Sequence, residues 1–152
     1  MIRSVVSESS SLFSRIIKGE IPASFVAKGS DWVAFLDINP RREGHTLVVP
    51  YKQVKRLSSL PPEQLASLMS GVLEVQNRLG NHFSTEDFSI VVHDGPLAGQ
   101  EIPHVHIHVI PRTLGDGGRS LLAMWPQAPP MGSQEPDFAA LSELAKKLNS
   151  SS

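Results

Sequence analysis

The 152-residue sequence contains no cysteine. It therefore cannot supply a disulfide bond, a thiolate nucleophile or a cysteine-ligated zinc site. The absence of cysteine also gives no reason to place the protein in an oxidising compartment. We predict a cytoplasmic protein, with the nucleus as a possible additional location.

The sequence also has little net charge and no long hydrophobic run. Its 14 basic and 15 acidic residues give a net charge of −1, so it lacks the basic surface of a protein that binds duplex nucleic acid. No apolar stretch approaches the roughly 20 residues that a membrane-spanning helix needs. We therefore expect a partner that is neither nucleic acid nor a membrane. A chain of this length with 40% hydrophobic residues is typical of one domain with its own core.

Apolar periodicity predicts the order helix, strands, helix, strands, helix. Residues 1–10 have no periodic apolar pattern and predict a flexible arm, so residues 11–152 are expected to form a single domain. Helices are predicted over residues 11–19, 61–80 and 138–148, and strands over 25–26, 32–36, 46–49, 88–93 and 105–110. Short links between the first strands favour an α+β fold with a five-stranded, mainly antiparallel sheet and helices packed on it.

The most informative segment is residues 104–110, which read HVHIHVI. Successive side chains of a strand alternate between faces, so the three imidazoles would project from one face and the apolar side chains from the other. Neighbouring histidines on that face would be about 6.6 Å apart along the strand, close enough to act together on one phosphate-sized group. Since the whole chain has 6 histidines, these three are the candidate functional group.

The residues alone allow three interpretations of the histidines. A histidine on a strand face is often a half-exposed filler, although three in alternation are hard to explain in that way. Three imidazoles can also bind a catalytic zinc ion, which needs only three protein ligands. The third interpretation is nucleophilic catalysis, because a neutral imidazole attacks phosphorus when its neighbours fix its tautomer and accept charge.

Several segments, in the right order, resemble the histidine triad family. The HVHIHVI segment matches the family signature, in which three histidines alternate with apolar residues. The first half of the chain is similar to the nucleotide-binding-protein branch of the family, and the second half is closer to its fragile-histidine-triad branch. The segments that carry the resemblance are LFSRIIKGEIPA (12–23), FLDINP (35–40), GHTLVVP (44–50), DGPLAGQ (94–100) and Pro111-Arg112. Together they cover about residues 11–126.

The resemblance implies a HIT-like fold, a two-fold homodimer and a reaction at the α-phosphorus of nucleotide conjugates. His106 would be the nucleophile and would form a covalent nucleotidyl-histidine intermediate. His104 and His108 would orient His106 and contact the phosphate, and His45 would complete the cluster. Water would then release a nucleoside monophosphate. No cofactor would be required, and a zinc ion held by the histidines is the alternative.

The resemblance also implies a nucleotide-binding site. Asp37 would hold the ribose hydroxyls, although an aspartate before Asn39-Pro40 is also typical of a turn cap. The phosphate loop would comprise Gly99, Gln100, Glu101 and Ile102, where glycine lets the backbone approach a phosphate closely. The base pocket would comprise five residues that periodicity alone assigns to the core: Phe13, Ile16, Ile21, Leu36 and Ile38.

Two residues depart from the family pattern, both on the leaving-group side. His93 replaces the usual Asn or Gln and could protonate a leaving group. Glu101 replaces a Ser or Thr, and its carboxylate would repel a phosphate unless it points away or is neutralised. The expected substrate is a purine nucleotide conjugate, with adenosine favoured, of the phosphoramidate or dinucleoside polyphosphate type. The alternatives are a catalytically idle nucleotide-binding or regulatory protein and a zinc-binding regulatory module.

Overall fold

The computed structural model describes residues 9–150, which form three helices and five strands. The predicted arm, residues 1–10, therefore lies outside the described residues except for Ser9 and Ser10. The helices are α1 (Leu12–Ile17), α2 (Pro62–Phe83) and α3 (Phe138–Ser150), and the strands are β1 (Phe25–Lys28), β2 (Trp32–Leu36), β3 (Thr46–Pro50), β4 (Asp87–Val91) and β5 (Ile107–Arg112). None of the helices within residues 9–150 has the length and hydropathy needed to cross a bilayer.

The strands form a single sheet in the order β1-β2-β3-β5-β4, and every neighbouring pair is antiparallel. The predicted α+β fold with a five-stranded antiparallel sheet is therefore confirmed. Strand β5 lies inside the sheet, where His108 is opposite Leu47 of β3 and Val91 of β4. His108 is thus held by a neighbouring strand on each side.

Alternation along the strands gives the sheet two apolar faces, and a different helix packs on each face. Helix α2 packs on one face, and its buried residues Leu68, Val72, Val75 and Leu79 join a core with Trp32, Ala34, Val48, Ile107 and Val109. The short helix α1 packs on the other face, where Phe13 and Ile16 contact Val33, Phe35, Leu47 and Val49. His104, His106 and His108 belong to the α1 side, because Val105, Ile107 and Val109 lie in the core beneath α2.

The structure places the start of β5 two residues later than predicted. The N–H of Val105 donates to Val54 O at 2.8 Å, and the N–H of His104 donates to Ile102 O at 2.8 Å. These backbone groups are therefore bonded to loops and not to a neighbouring strand. The predicted alternation nevertheless persists, since Val105, Ile107 and Val109 are all buried in the core beneath α2.

Helix α2 continues past the stop that Gly80 predicts. Its last residue is Phe83, and Ser84 adopts the left-handed conformation (φ 54°) at the C-cap. The N–H of Thr85 donates to Gly80 O at 3.1 Å, and a Cβ on Gly80 would lie 2.7 Å from Thr85 O. The glycine is therefore explained by the close return of the chain over the helix, and it does not end the helix.

The described chain divides into two compact units, residues 9–116 and 117–150, and the single domain over residues 11–152 stays a prediction. The first unit contains the sheet, α1 and α2. The second contains a 3-10 turn at Leu121–Met124 and α3. The predicted amphipathic pattern of α3 is present, but its apolar residues Phe138, Leu141, Leu144 and Leu148 are all exposed.

Candidate active site at the start of strand β5

Five of the histidines lie in one row beside β5, which we call the histidine row: His104, His106, His108, His45 and His93. His108 is in β5, His45 immediately precedes β3, and His93 follows β4. The ring centroid of His108 lies 5.1 Å from that of His106, 5.1 Å from that of His45 and 5.6 Å from that of His93. The strand order therefore collects histidines from three separate segments around His108.

His104 has no free ring nitrogen. Its Nε2 lies 2.8 Å from Pro50 O, which can only accept, so Nε2 carries the proton. Its Nδ1 lies 2.6 Å from the Ser11 hydroxyl. The His104 side chain is also fully buried (0% exposed). No ring nitrogen of His104 is therefore left to contact a substrate phosphate.

His106 has one engaged ring nitrogen and one free ring nitrogen. Its Nδ1 lies 2.8 Å from the carbonyl oxygen of His104, so Nδ1 donates and carries the proton. In a neutral imidazole the other nitrogen, Nε2, then has a lone pair. The Phe13 ring packs edge-on against His106, with 5.0 Å between ring centroids. His106 therefore has the tautomer and the support that a nucleophilic imidazole needs.

A chain of hydrogen bonds fixes the tautomers of His45 and His108. The N–H of Arg41 donates to His45 Nδ1 at 3.1 Å, so the proton of a neutral His45 is on Nε2. That Nε2 lies 2.9 Å from His108 Nδ1 and donates to it. His108 consequently carries its own proton on Nε2, which is a donor available to a ligand. Asp37 Oδ2 lies 3.5 Å from His45 Nε2 and supports that proton electrostatically.

Burial lowers the pKa of four rings of the histidine row, His45, His104, His106 and His108, and so favours their neutral form. It lowers the pKa of His45, His104 and His106, although Asp37 opposes this for His45 and the bond to Pro50 opposes it for His104. The largest change is at His108, whose pKa is lowered to about 4, first by burial and then by the neighbouring imidazoles. At neutral pH each of these rings therefore has one N–H that donates and one nitrogen whose lone pair accepts.

The predicted phosphate loop is an open turn beside His93. His93 Nδ1 donates to Ala98 O at 2.7 Å, which leaves its Nε2 free. The side chain of Gln100 accepts from the N–H of Gly95 at 2.9 Å and donates to Lys55 O at 2.9 Å. Gln100 thus holds the shape of the loop through its amide group. Gly99 and Glu101 are exposed, and Gly99 has φ 101° in the left-handed region that favours glycine.

The predicted base-pocket residues divide into two groups. Phe13 and Ile16 are buried in the core beneath α1, and Ile21 packs partly buried against the same core. Leu36 and Ile38 are exposed, Ile38 at 85%. Ile102 also packs partly buried against the α1 core. Of the predicted base-pocket residues, Leu36 and Ile38 therefore present the most apolar surface that a base could cover.

Asp37 caps the turn as one of its two predicted roles requires, and it also contacts the histidine row. Its Oδ1 accepts from the N–H of Asn39 at 2.8 Å, which is the predicted turn cap. Its Oδ2 is the oxygen near His45 Nε2. The carboxylate therefore links the β2–β3 turn to the histidine row.

One group of side chains could hold a metal ion. Within residues 9–150, the ligand atoms of Asp37, His45 and His108 lie within 4.8 Å of one another. His104 and His106 are not members of this group, so the geometry differs from the predicted zinc site of three triad imidazoles. An ion at Asp37, His45 and His108 would have to replace the hydrogen bond between the two histidines.

Sequence reasoning missed two sets of residues that position the histidines. The first is Ser11, Ser14 and Gln53 around His104. The second is the buried Asp116 carboxylate, which bonds Arg42 at 2.7 Å and Arg112 at 2.8 Å and thereby ties the β2–β3 loop to the end of β5. A serine before an apolar helix does indicate an N-cap. No local pattern indicates that the same hydroxyl meets a histidine 93 positions away.

The fold and the site together define a small antiparallel α+β protein that gathers histidines beside its interior strand β5. Residues 18–114 match the family model described as HIT domain, and the chain therefore belongs to the HIT family. This confirms the family resemblance inferred from the motifs.

Relatives with named activities and a solved structure support the same family. An adenosine 5'-monophosphoramidase of Saccharomyces cerevisiae is 34% identical over 137 residues, which are 90% of this chain and 79% of that protein. A bis(5'-nucleosyl)-tetraphosphatase of Schizosaccharomyces pombe is 42% identical over 83 residues, 55% of this chain and 46% of that protein. A crystal structure of a HIT family protein from Bacillus anthracis superposes with a TM-score of 0.78 at 28% identity, covering 95% of this chain and 98% of that one.

Proposed function

We propose that the protein hydrolyses nucleotide conjugates at their α-phosphorus, with His106 as the nucleophile. The observation that carries the proposal is the bond from His106 Nδ1 to the His104 carbonyl, because it leaves the Nε2 lone pair free for attack. The names of the two relatives, a phosphoramidase and a dinucleoside tetraphosphatase, support the same reaction class.

The reaction has two displacement steps. His106 Nε2 attacks the α-phosphorus, a P–N bond forms, and the bond from phosphorus to the leaving group breaks as that group takes a proton. Water then attacks the same phosphorus, its proton passes to solvent, the P–N bond breaks, and a nucleoside monophosphate leaves while His106 regains its lone pair. A covalent intermediate replaces one difficult displacement by two easier ones.

The neighbouring residues supply charge stabilisation and positioning. The His108 Nε2–H, set by the Arg41–His45–His108 chain, donates to a phosphoryl oxygen as negative charge develops. Asp37 holds the ribose hydroxyls, and Leu36 and Ile38 cover one side of the base, for which adenine is favoured. Gly99, Gln100 and Glu101 form the loop beside the phosphates. The proposed reaction uses no cofactor.

His93 is assigned to the leaving-group side. Its Nδ1–H is bonded to Ala98 O, so its free Nε2 can accept a proton from solvent and deliver it to the departing atom. An amide at this position could donate a hydrogen bond but could not transfer a proton. The choice between a phosphoramidate and a dinucleoside polyphosphate is therefore assigned to His93 and the exposed loop that follows it.

The family resemblance also leads us to propose a two-fold homodimer. Sedimentation velocity at micromolar concentration tests the assembly, and a monomeric mass would refute the dimer without affecting the proposed chemistry.

Trapping of the intermediate tests the function. We expect adenosine phosphoramidate or diadenosine tetraphosphate, labelled in the α-phosphate and quenched in base, to leave label on His106. In the H106N variant the fold and nucleotide binding should persist, but labelling should vanish and turnover should fall by about four powers of ten or more.

The matched control is H82N, which changes an exposed histidine of α2. Label on His104 or His108, or normal turnover by H106N, would refute the proposal. Nucleotide binding without turnover of any substrate by the unaltered protein would favour the idle binding protein.

A further inference from the structure

A hydrogen-bonded group of three polar residues surrounds the buried end of His104. We call it the His104 seat: Ser11, Ser14 and Gln53. The Ser11 hydroxyl lies 2.6 Å from His104 Nδ1 and accepts from the N–H of Ser14 at 3.0 Å. Gln53 Oε1 accepts from the N–H of Ser11 and from the Ser14 hydroxyl, both at 2.7 Å. Ser11, Ser14 and His104 are all buried.

The acceptors in this network allow one arrangement of its hydrogens. Because Pro50 O can only accept, the proton of a neutral His104 is on Nε2, and Nδ1 must accept. The Ser11 hydroxyl therefore donates to Nδ1 while its oxygen caps α1 through Ser14 N–H. Gln53 presents its oxygen to both serines, and its amide nitrogen donates to Ser9 O at 3.1 Å.

The seat is joined to the nucleophile by short connections. His106 Nδ1 donates to the carbonyl of His104, so displacement of His104 moves the acceptor that sets the His106 tautomer. The seat also fixes the first turn of α1, whose Phe13 ring contacts His104 and His106 with centroid distances of 5.8 and 5.0 Å. The position of α1 and the position of His106 are therefore determined together.

We infer that Ser11, supported by Ser14 and Gln53, is a positioning residue that holds His104 as a fixed Nε2–H tautomer, and that His104 acts through His106 and not by binding phosphate. The kinetic part of this inference rests on the proposed function, whereas the tautomer part does not. A ring with both nitrogens bonded to protein has no donor left for a ligand. The contribution of His104 is to keep its own carbonyl oxygen where it accepts the hydrogen bond from His106 Nδ1.

The first experiment reads the tautomer directly. In the full chain with ¹⁵N-labelled histidine, we expect NMR to show His104 with protonated Nε2 and unprotonated Nδ1 throughout pH 6–8. The variant S11D keeps an acceptor for the N-cap but replaces the hydroxyl donor by a carboxylate. His104 should then take a second proton on Nδ1, because a carboxylate beside it favours the charged ring. A Ser11 that only capped α1 would leave the His104 nitrogens unchanged.

The second experiment measures turnover. We expect S11A to lower kcat by about tenfold with a smaller change in KM, since loss of a residue that orients a catalytic ligand typically costs about 10- to 100-fold. S11T, which keeps both the donor and the cap, should restore kcat to within about threefold of the unaltered protein. The matched control is S70A, because Ser70 is exposed and its hydroxyl bonds only Ala66 O.

The two experiments separate failure of this inference from failure of the proposed function. An S11D variant in which His104 remains neutral, or an S11A variant with unchanged kcat, would overturn the positioning role. If H106N is active while S11D still protonates His104, the proposed nucleophile is wrong and the seat stands as a structural finding about His104.

Discussion

The two ends of the histidine row differ in how they meet solvent. At one end His104 is fully buried, both of its ring nitrogens are bonded to protein, and α1 covers it. At the other end His93 is half-buried, keeps a free Nε2, and lies against an exposed loop. The difference supports a division of labour in which the closed end fixes the geometry of the nucleophile and the open end accommodates leaving groups.

His108 is the residue where the two ends meet, and among the neighbours of the nucleophile its loss is expected to have the largest effect on turnover. Its ring lies beside His106, His45 and His93. The variant H108F keeps a ring of similar size but removes the Nε2–H donor, so we expect steady-state assays to show kcat lowered by about a hundred- to a thousandfold. H82F is the matched control at an exposed histidine. A kcat within about threefold of normal would show that the row does not act as one unit.

Replacement of His93 should affect substrates unequally, and this sharpens the contrast between the ends. We expect H93N to lower kcat/KM by about tenfold or more for the substrate whose leaving group needs a proton, and by less for a stable anionic leaving group. The measurement is the ratio of kcat/KM for adenosine phosphoramidate to that for diadenosine tetraphosphate. An unchanged ratio would remove His93 from the leaving-group side.

The smallest expected effect is the change of stability with pH. The pKa of His108 is about 4 in the folded protein against 6.5 for the free side chain, and burial also lowers the pKa values of His45, His104 and His106. The unfolded chain therefore binds more protons below pH 6.5, so these groups stabilise the fold above that pH. This stability should be lost as the pH falls towards 4.

Chemical denaturation at several pH values measures this effect. We expect the free energy of unfolding to decrease between pH 7 and pH 4, with a smaller decrease in H108N than in the unaltered protein. An equal slope for both proteins would mean that His108 titrates alike in the folded and unfolded states.

The sequence predicted those features that depend on local periodicity and on motifs. The alternation at 104–110 correctly placed Val105, Ile107 and Val109 in the core, and the motif order correctly indicated the HIT family. The prediction for the end of α2 was wrong, because Gly80 accommodates Thr85 O and the helix ends only at Phe83. The strand boundary at residue 105 was also wrong, because the backbone there bonds to the Val54 loop.

The features that sequence reasoning missed are long-range. Ser11 and His104 are 93 positions apart, and their hydroxyl–imidazole bond depends on how α1 lies over the sheet. The assignment of Phe13 and Ile16 to either the core or a base pocket likewise required knowledge of which face of the sheet α1 covers. Composition and spacing do not show how α1 lies over the sheet or which face of the sheet it covers.

The tautomers of the histidine row have an evolutionary consequence. His104, His106 and His93 donate to the backbone carbonyls of Pro50, His104 and Ala98, and His45 accepts from the backbone N–H of Arg41. A carbonyl is present whatever side chain a position carries, and a backbone N–H is lost only to proline. Point mutations at Pro50, Ala98 or Arg41 can therefore move these partners, but apart from proline at position 41 they cannot delete them. We therefore expect the tautomers of these histidines to be retained when natural substitutions change the side chains around them.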